Sequence, residues 1–184
     1  MTSTAFVSPV RLALTPKTAL AGLLDGAWWP RSRDLAAQLP LLVDALNGSF
    51  GRITRITANP TCWLEFPHGI SVAEGHIVQV GWFSEQDSDK LTLLSYAVGR
   101  CDLLVIPPDT EAAAAGRLMA AAALPGNVRA VGTLMTDEAA TSLRIRNVRS
   151  SEEVEETDGG TAATPERHPV VGARMIPLPW NMRR

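Results

Sequence analysis

Three apolar segments in residues 76–107 constrain the fold most. They read HIVQVGWF (76–83), KLTLLSYA (90–97) and CDLLVIP (101–107), and apolar runs of this length are typical of β-strands. The polar turn SEQDSD joins the first two, and the short VGR joins the second to the third, as in a hairpin. We therefore predict an antiparallel meander. DLLVI is apolar at successive positions, which predicts a central strand covered on both faces.

A first helix is predicted between two turn-rich segments. Its apolar residues fall on one helical face: Leu35, Leu39, Leu42, Val43 and Leu46. This spacing predicts a helix over 32–47, with Ser32 as its cap and Asn47 and Gly48 as its end. Pro40 removes a backbone hydrogen bond inside it, so we expect a kink, or a helix that begins near Gln38.

A second helix is predicted over 110–123, where an Ala-rich run follows two prolines and Asp109 or Thr110 is the expected cap. The remaining segments are predicted from their composition and turn residues: strands over 10–14, from 51 to before Pro60, and over 129–136, an irregular segment over 22–30, and a long loop over 60–75. Together these elements predict an α+β domain. Its sheet is mostly antiparallel with five or six strands, and the two main helices pack on one face.

The C-terminal part of the chain differs in composition from the rest. Residues 150–169 contain one sizeable apolar residue, Val154, and such a segment cannot bury enough surface to offset its ordering entropy. We therefore predict one domain over 1–149 and, over 150–184, a disordered acidic tail with an apolar C-terminal segment, MIPLPW.

The charges of the predicted domain cancel. The whole chain has 17 basic and 19 acidic residues, and four and six of these lie in residues 150–184, which leaves 13 of each sign in residues 1–149. A neutral domain lacks the broad basic face that a phosphate backbone requires, so we predict no nucleic-acid partner.

The cellular location is predicted from three features. The N-terminal segment lacks a basic stretch followed by an unbroken apolar run, so no signal peptide is predicted. No stretch approaches the roughly 18 apolar residues of a membrane-spanning helix. Cys62 and Cys101 are the only cysteines, and without a secretory signal we expect both to be reduced. The protein is therefore predicted to be cytoplasmic and to have no membrane partner.

The densest candidate site is the segment DGAWWPRSRD. Its chemistry-bearing residues are Asp25, Trp28, Trp29, Arg31, Arg33 and Asp34. Adjacent tryptophans on an extended backbone point in opposite directions, so one is expected in the core and the other at the surface. The exposed ring would bind a flat ligand or a partner, with an arginine holding an anion beside it. The alternative is structural: an arginine stacks on the tryptophan and pairs with Asp25 or Asp34.

Two other groups of residues are of types that can bind metals or transfer protons. Cys62, Glu65, His68 and His76 are residue types that zinc accepts, but they lack the close ligand pairs of a structural zinc site, so no metal is predicted. Asp102, at the start of an apolar strand, is either paired with an arginine such as Arg100 or an acid–base group. No nucleophile motif and no cofactor motif occurs, and no catalytic residue is assigned.

The order of several motifs indicates a family. GLLDGAWWPRSRDLAAQLP, GRITRI, VGWF and DLLVIPPDT are followed by an Ala-rich helix and PGN. This pattern resembles an uncharacterised actinobacterial family, domain of unknown function family 5994, over residues 10–135. The resemblance implies a bacterial, cytoplasmic protein, and it brings no activity, cofactor or catalytic residue.

Two functions from different classes are compatible with these residues. We favour a non-enzymatic binding or regulatory module that contacts a protein partner, or a second copy of itself, through Trp28, Trp29, Arg31 and Arg33. The alternative is an enzyme acting on a small anionic metabolite, with Asp25 or Asp102 as acid or base and Arg31 as the anion clamp. A deep pocket at Asp102 would favour the enzyme, and a flat Trp-bearing face would favour the binding module.

Overall fold

The computed structural model describes residues 10–17 and 20–158, with side chains up to residue 152. These residues form the following elements: β1 (Leu12–Leu14), β2 (Gly26–Trp28), α1 (Leu35–Phe50), β3 (Ile53–Ala58), a 3-10 turn (Pro60–Cys62), β4 (Gly69–Ser71), β5 (Ile77–Trp82), β6 (Lys90–Ser95), β7 (Gly99–Val105), α2 (Ala112–Ala122) and α3 (Val131–Asp158). The chain divides into two compact units, residues 1–146 and 147–184. Of the second unit, only the end of α3 lies in the described residues. The predicted domain boundary at 149 stays a prediction.

The seven strands form one mixed sheet in the order β1-β2-β7-β6-β3-β5-β4. The α+β class is confirmed, but the sheet has more strands than the five or six predicted. Most of its pairings are antiparallel, whereas β2 pairs parallel with β7, and β3 pairs parallel with β5.

The predicted meander is only half present. β6 and β7 form the expected hairpin, from the pair Lys90 and Leu104 to the pair Ser95 and Gly99. β5 does not pair with β6, because β3 lies between them and pairs with both. The prediction was wrong because the segment 83–89 is long enough to cross one intervening strand, a distance of about 10 Å.

The helices lie on opposite faces of the sheet, so the prediction that both pack on one face was wrong. Leu103 belongs to the core beneath α1, and Leu104 belongs to the core beneath α2 and the start of α3. Both side chains are 0 % exposed. Successive residues of a strand point to opposite faces, so a strand that is apolar at both positions requires a helix on each side. This confirms the predicted central, doubly covered strand.

α1 forms where its apolar spacing predicts, but its ends differ from those predicted. Its cap is Asp34, whose carboxylate accepts a hydrogen bond from the Ala37 amide at 3.0 Å, and the helix continues to Phe50, with Gly51 as its C-cap at a φ of 67°. Pro40 lies inside the helix without ending it. The buried residues of this face outweigh the roughly 3 kcal/mol that an internal proline costs: Leu35, Leu39, Leu42, Val43, Leu46 and Phe50.

Several shorter predictions are corrected. Residues 22–30 contain β2, and residues 60–75 contain the 3-10 turn and β4; strands of three residues are too short to show a period. Residues 131–136 are helical rather than a strand, because Val131 and Leu134 share one buried helical face. α2 is capped at Glu111 rather than at Asp109 or Thr110, without a side-chain hydrogen bond.

α3 continues to Asp158, so residues 150–158 are helical rather than disordered as predicted. Four of these nine residues are glutamate, which is a good helix former even where few apolar residues are present. The predicted apolar segment MIPLPW lies outside the described residues. Among the helices of the described ranges, none has the length and apolar character needed to cross a membrane.

A charged pair joins α2 to α3 and predicts a pH dependence of stability. Arg117 donates to both carboxylate oxygens of Glu138, at 2.6 to 3.2 Å, and Ser142 donates to the same group at 2.8 Å. The hydrogen bonds from Arg117 lower the pKa of Glu138. A carboxyl whose pKa is lowered by folding stabilises the fold above its ordinary pKa, and this contribution disappears as the pH falls through the lowered value.

We therefore expect Glu138→Gln to lower the free energy of unfolding at neutral pH, and to lower it less as the solution becomes acidic. Urea denaturation at a series of pH values measures this difference. Glu85→Gln, at an exposed position, is the control and should match the wild type throughout. An equal loss at every pH would show that packing, rather than the charge of Glu138, stabilises the contact.

Candidate functional site

The two adjacent tryptophans point to opposite faces of the sheet. Trp28, on β2, is 2 % exposed and lies in the core beneath α1, where its ring stacks on Trp63 with centroids 5.8 Å apart and planes inclined by 23°. Trp29 is half-buried against the core beneath α2. Trp28 therefore has no surface to offer a partner in this fold.

The face of Trp29 is covered by an arginine that the sequence did not single out. The guanidinium carbon of Arg11 lies 3.4 Å from the Trp29 ring centroid, and its Nε donates to the Trp29 carbonyl at 3.0 Å. The Trp29 indole Nε1 donates to the Pro107 carbonyl at 3.2 Å. Burial, and to a smaller extent the charge of Arg31, lower the pKa of Arg11. An arginine stacked on a tryptophan is what the structural alternative predicts, but the arginine is Arg11 rather than one from the segment DGAWWPRSRD.

Arg33 connects three loops at the carboxyl ends of β2, β3 and β7. Its Nη2 pairs with Asp109 at 3.1 Å, and its Nη1 donates to the Cys62 carbonyl at 3.4 Å. A hydrogen bond from the backbone amide of Asp109 itself, followed by that from Arg33, lowers the pKa of Asp109. Asp34 caps α1, and Arg31 is exposed.

The cavity beside the two tryptophans is too small for a ligand. It is lined by Arg11, Trp28, Trp29 and Arg31 among others, and has a volume of about 10 Å³, which is room for about one water molecule. The flat-ligand platform suggested by the sequence has no cavity at this position.

Asp25, directly before β2, lies beside Asp102, in the middle of β7. Both are at the end of β2 opposite to Trp29, Arg31 and Arg33. The Asp25 amide donates to the Asp102 carbonyl, and the Asp102 amide donates to the Asp25 carboxylate, both at 2.8 Å. Of the six predicted site residues, Trp28 lies in the core. The other five form two separate groups, with Trp29, Arg31 and Arg33 in one and the two aspartates in the other.

Three donors hold the Asp102 carboxylate. Thr92 Oγ1 donates at 2.6 Å, Arg100 Nε at 2.9 and 3.0 Å, and Lys90 Nζ lies 3.4 Å away. Arg100 is the partner that the sequence suggested, whereas Lys90 and Thr92 were missed because hairpin pairing brings them opposite β7. This group borders a cleft of about 330 Å³, lined by Gly22, Leu23, Leu24, Asp87, Lys90, Arg100, Asp102, Ala130 and Val131.

A larger cleft was missed from the sequence. It lies on the sheet face away from α1, on β3 and β5, and has a volume of about 670 Å³. Its exposed apolar residues are Ile77 at 70 %, Trp82 at 60 % and Phe83 at 56 %. We call this surface the open sheet face; its lining residues are Arg55, Thr57, His68, Gly69, Ile77, Gln79, Val80, Gly81, Trp82 and Phe83.

The residues considered as metal ligands or nucleophiles do not form a reactive site in the described part of the chain. His76 Nε2 lies 3.1 Å from the Ile53 carbonyl, and in the described part of the chain no three His, Cys, Asp or Glu side chains converge as metal ligands would. Cys101 is buried, and burial, reinforced by Asp25 and Asp102, raises the pKa of its thiol well above the ordinary range. A thiol in this state is a poor nucleophile.

No curated protein and no solved structure matches the chain. A family model does match, over residues 11–122, which are more than half of the sequence. These residues run from β1 to the end of α2 and include the Asp102 group and the open sheet face. The chain therefore belongs to the family of unknown function DUF5994.

Proposed function

We propose that the protein is a non-enzymatic binding module, and that the open sheet face is where it contacts a protein partner. The observation that carries the proposal is the exposure of Trp82 and Phe83, adjacent residues at the carboxyl end of β5, together with Ile77 at the beginning of the same strand. Each of the three is more than half exposed. Clustered exposed apolar residues are typical of interaction sites, and tryptophan is enriched among the residues that dominate binding energy.

The charges of this surface indicate the chemistry of the partner. Arg55 supplies a permanent positive charge among the ten lining residues, and none of the ten carries a carboxylate. Among the described residues the Arg55 guanidinium makes one long hydrogen bond, from Nη2 to Gln79 Oε1 at 3.4 Å, so donors remain for a ligand. We infer that the partner presents a segment with apolar side chains and at least one carboxylate, lying across β3 and β5.

The contacts elsewhere favour binding over catalysis. Thr92, Arg100 and Lys90 all engage the Asp102 carboxylate, so an acid–base role would require those contacts to break first. Trp28 is buried, which removes the centre of the Trp–Arg surface proposed from the sequence. Arg31, which is exposed, is the residue of that surface to compare in the test.

Actinobacterial origin and a cytoplasmic location are further proposals that rest on the family resemblance.

The test is a selection of short peptides from a random display library on the full chain, followed by affinity measurement with synthetic peptides. We expect the selected peptides to combine apolar residues with aspartate or glutamate. Trp82→Ala with Phe83→Ala should weaken their binding at least about tenfold, or about 1.4 kcal/mol. Arg55→Glu should reverse the preference, from acidic to basic peptides.

Arg31→Ala is the matched control and should bind as the wild type does. Selected peptides that bind equally well to the Trp82 and Phe83 variant would overturn the proposal, and so would a loss of binding confined to Arg31→Ala. A chain that is a dimer in solution, and becomes monomeric in the Trp82 and Phe83 variant, would replace the acidic partner by a second copy.

A further inference from the structure

We infer that the cleft beside Asp102 is a second binding site, for a small carboxylate that also carries a hydroxyl or amino group. The cleft has a volume of about 330 Å³, which lies at the lower end of the range of small-molecule pockets. It is separate in residues from the open sheet face, so the inference does not depend on the proposed function.

Arg100 is positioned to bind a carboxylate. Its Nε alone contacts Asp102, at 2.9 and 3.0 Å, and among the described residues neither of its Nη atoms donates a hydrogen bond. Two parallel N–H donors on a planar guanidinium match the two oxygens of a carboxylate. Because Asp102 fixes the Nε side of the group, it acts as a positioning residue that orients the free donors.

Lys90 supplies a second cation in the same cleft. Its Nζ lies 3.4 Å from Asp102 Oδ2 and its side chain is largely buried. The hydroxyl of Thr92 holds the other oxygen, Oδ1, at 2.6 Å. Asp102 is thus fixed from three sides, and both cations border the cleft with donors left over.

The walls of the cleft indicate the rest of the ligand. Leu23, Leu24 and Val131 provide apolar surface, and Asp87 places an exposed carboxylate at the rim. The lining has two cations, Lys90 and Arg100, and two carboxylates, Asp87 and Asp102, so its net charge is zero. A simple anion would pair with the cations but would leave Asp87 without a hydrogen-bond donor. A carboxylate that also carries a hydroxyl or an ammonium group would satisfy Arg100 and Lys90 at one end and Asp87 at the other.

The Leu23 wall is held in place by backbone contacts. The Leu23 amide donates to the Asn127 carbonyl at 2.8 Å, and the Gly126 amide donates to the Leu20 carbonyl at 2.9 Å. At Gly22 a β-carbon would lie 2.8 Å from the Asn127 carbonyl oxygen, so the close approach requires glycine. A wall that is already ordered reduces the entropy lost when a ligand binds.

Ligand-observed NMR on the full chain, followed by titration, tests the inference with L-malate, L-glutamate, succinate and inorganic phosphate. We expect L-malate or L-glutamate to bind more tightly than succinate, which has no donor group, and more tightly than phosphate. Arg100→Gln should weaken that binding at least about tenfold. Asp87→Asn should remove the advantage over succinate.

Arg52→Gln, at an exposed arginine remote in sequence, is the control and should bind as the wild type does. Circular dichroism of each variant establishes that it is folded. Three results would each overturn the inference: no carboxylate binding below about 10 mM, equal binding by Arg100→Gln and the wild type, or tighter binding of phosphate than of any carboxylate.

Discussion

Gly26→Ala is expected to lower the free energy of unfolding by about 2–6 kcal/mol. Gly26 has a φ of 149°, a conformation that only glycine adopts readily and that adds about 1–3 kcal/mol of strain for other residues. Its β-carbon would lie 2.1 Å from the Ala13 carbonyl oxygen and 2.9 Å from the Leu14 Cα. Both are backbone atoms, so no side-chain rotation relieves the overlap, and forcing it adds a further 1–3 kcal/mol or so.

Urea denaturation followed by circular dichroism measures the loss, and Gly48→Ala is the matched control. Gly48 lies inside α1, and a β-carbon there would meet no atom within 4 Å. Alanine favours a helix over glycine by roughly 0.5–1 kcal/mol, so this variant should be more stable than the wild type. If Gly26→Ala unfolded at the same urea concentration as the wild type, the antiparallel contact between β1 and β2 would be contradicted.

The elements that the sequence predicts well are those with a local period. The apolar face of α1 repeats at helical spacing, and β6 and β7 are joined by a tight turn, so neighbouring residues alone determine them. The order of the strands in the sheet, by contrast, cannot be predicted from neighbouring residues. That β3 inserts between β5 and β6 depends on contacts between residues far apart in sequence, and no pattern within the segment 76–97 indicates it.

The open sheet face was missed for a related reason. β7 carries Leu103 and Leu104 at successive positions, and β5 carries Ile77 and Val78. The two pairs look alike in sequence, yet both leucines are buried, whereas Ile77 is exposed and Val78 is not. The difference arises because α2 and the start of α3 cover β2 and β7 but leave the same face of β5 uncovered. Strand periodicity does not report which half of a sheet a helix covers.

The sequence predicts several of the candidate residues, but not which of them lie together in the fold. Asp102 and Arg100 are two apart on one strand, so alternation alone places them on the same face, and they are paired. Arg11 and Lys90, which complete the two groups, come from other strands. Their roles depend on the pairing of β1 with β2 and of β6 with β7, which brings distant residues together.

Trp28→Ala is expected to lower the free energy of unfolding by about 3–5 kcal/mol, the range for truncating a large buried aromatic residue. The Trp28 side chain is fully buried, and its stack on Trp63 would be lost with it. Chemical denaturation measures the loss. The near-ultraviolet circular dichroism spectrum should change as well, because two stacked indoles contribute to it jointly.

Trp82→Ala removes the same side chain from a position that is 60 % exposed, and it should change stability by no more than about 0.5 kcal/mol. The comparison holds residue type constant and varies only burial, so the difference between the two variants measures what the core contributes at Trp28. It also separates the two candidate binding surfaces, the one around Trp28 and the open sheet face, since a tryptophan that stabilises the fold is not available to bind a partner. Equal losses from the two substitutions would mean that the β5 surface is buried in solution, and that the open sheet face is already occupied.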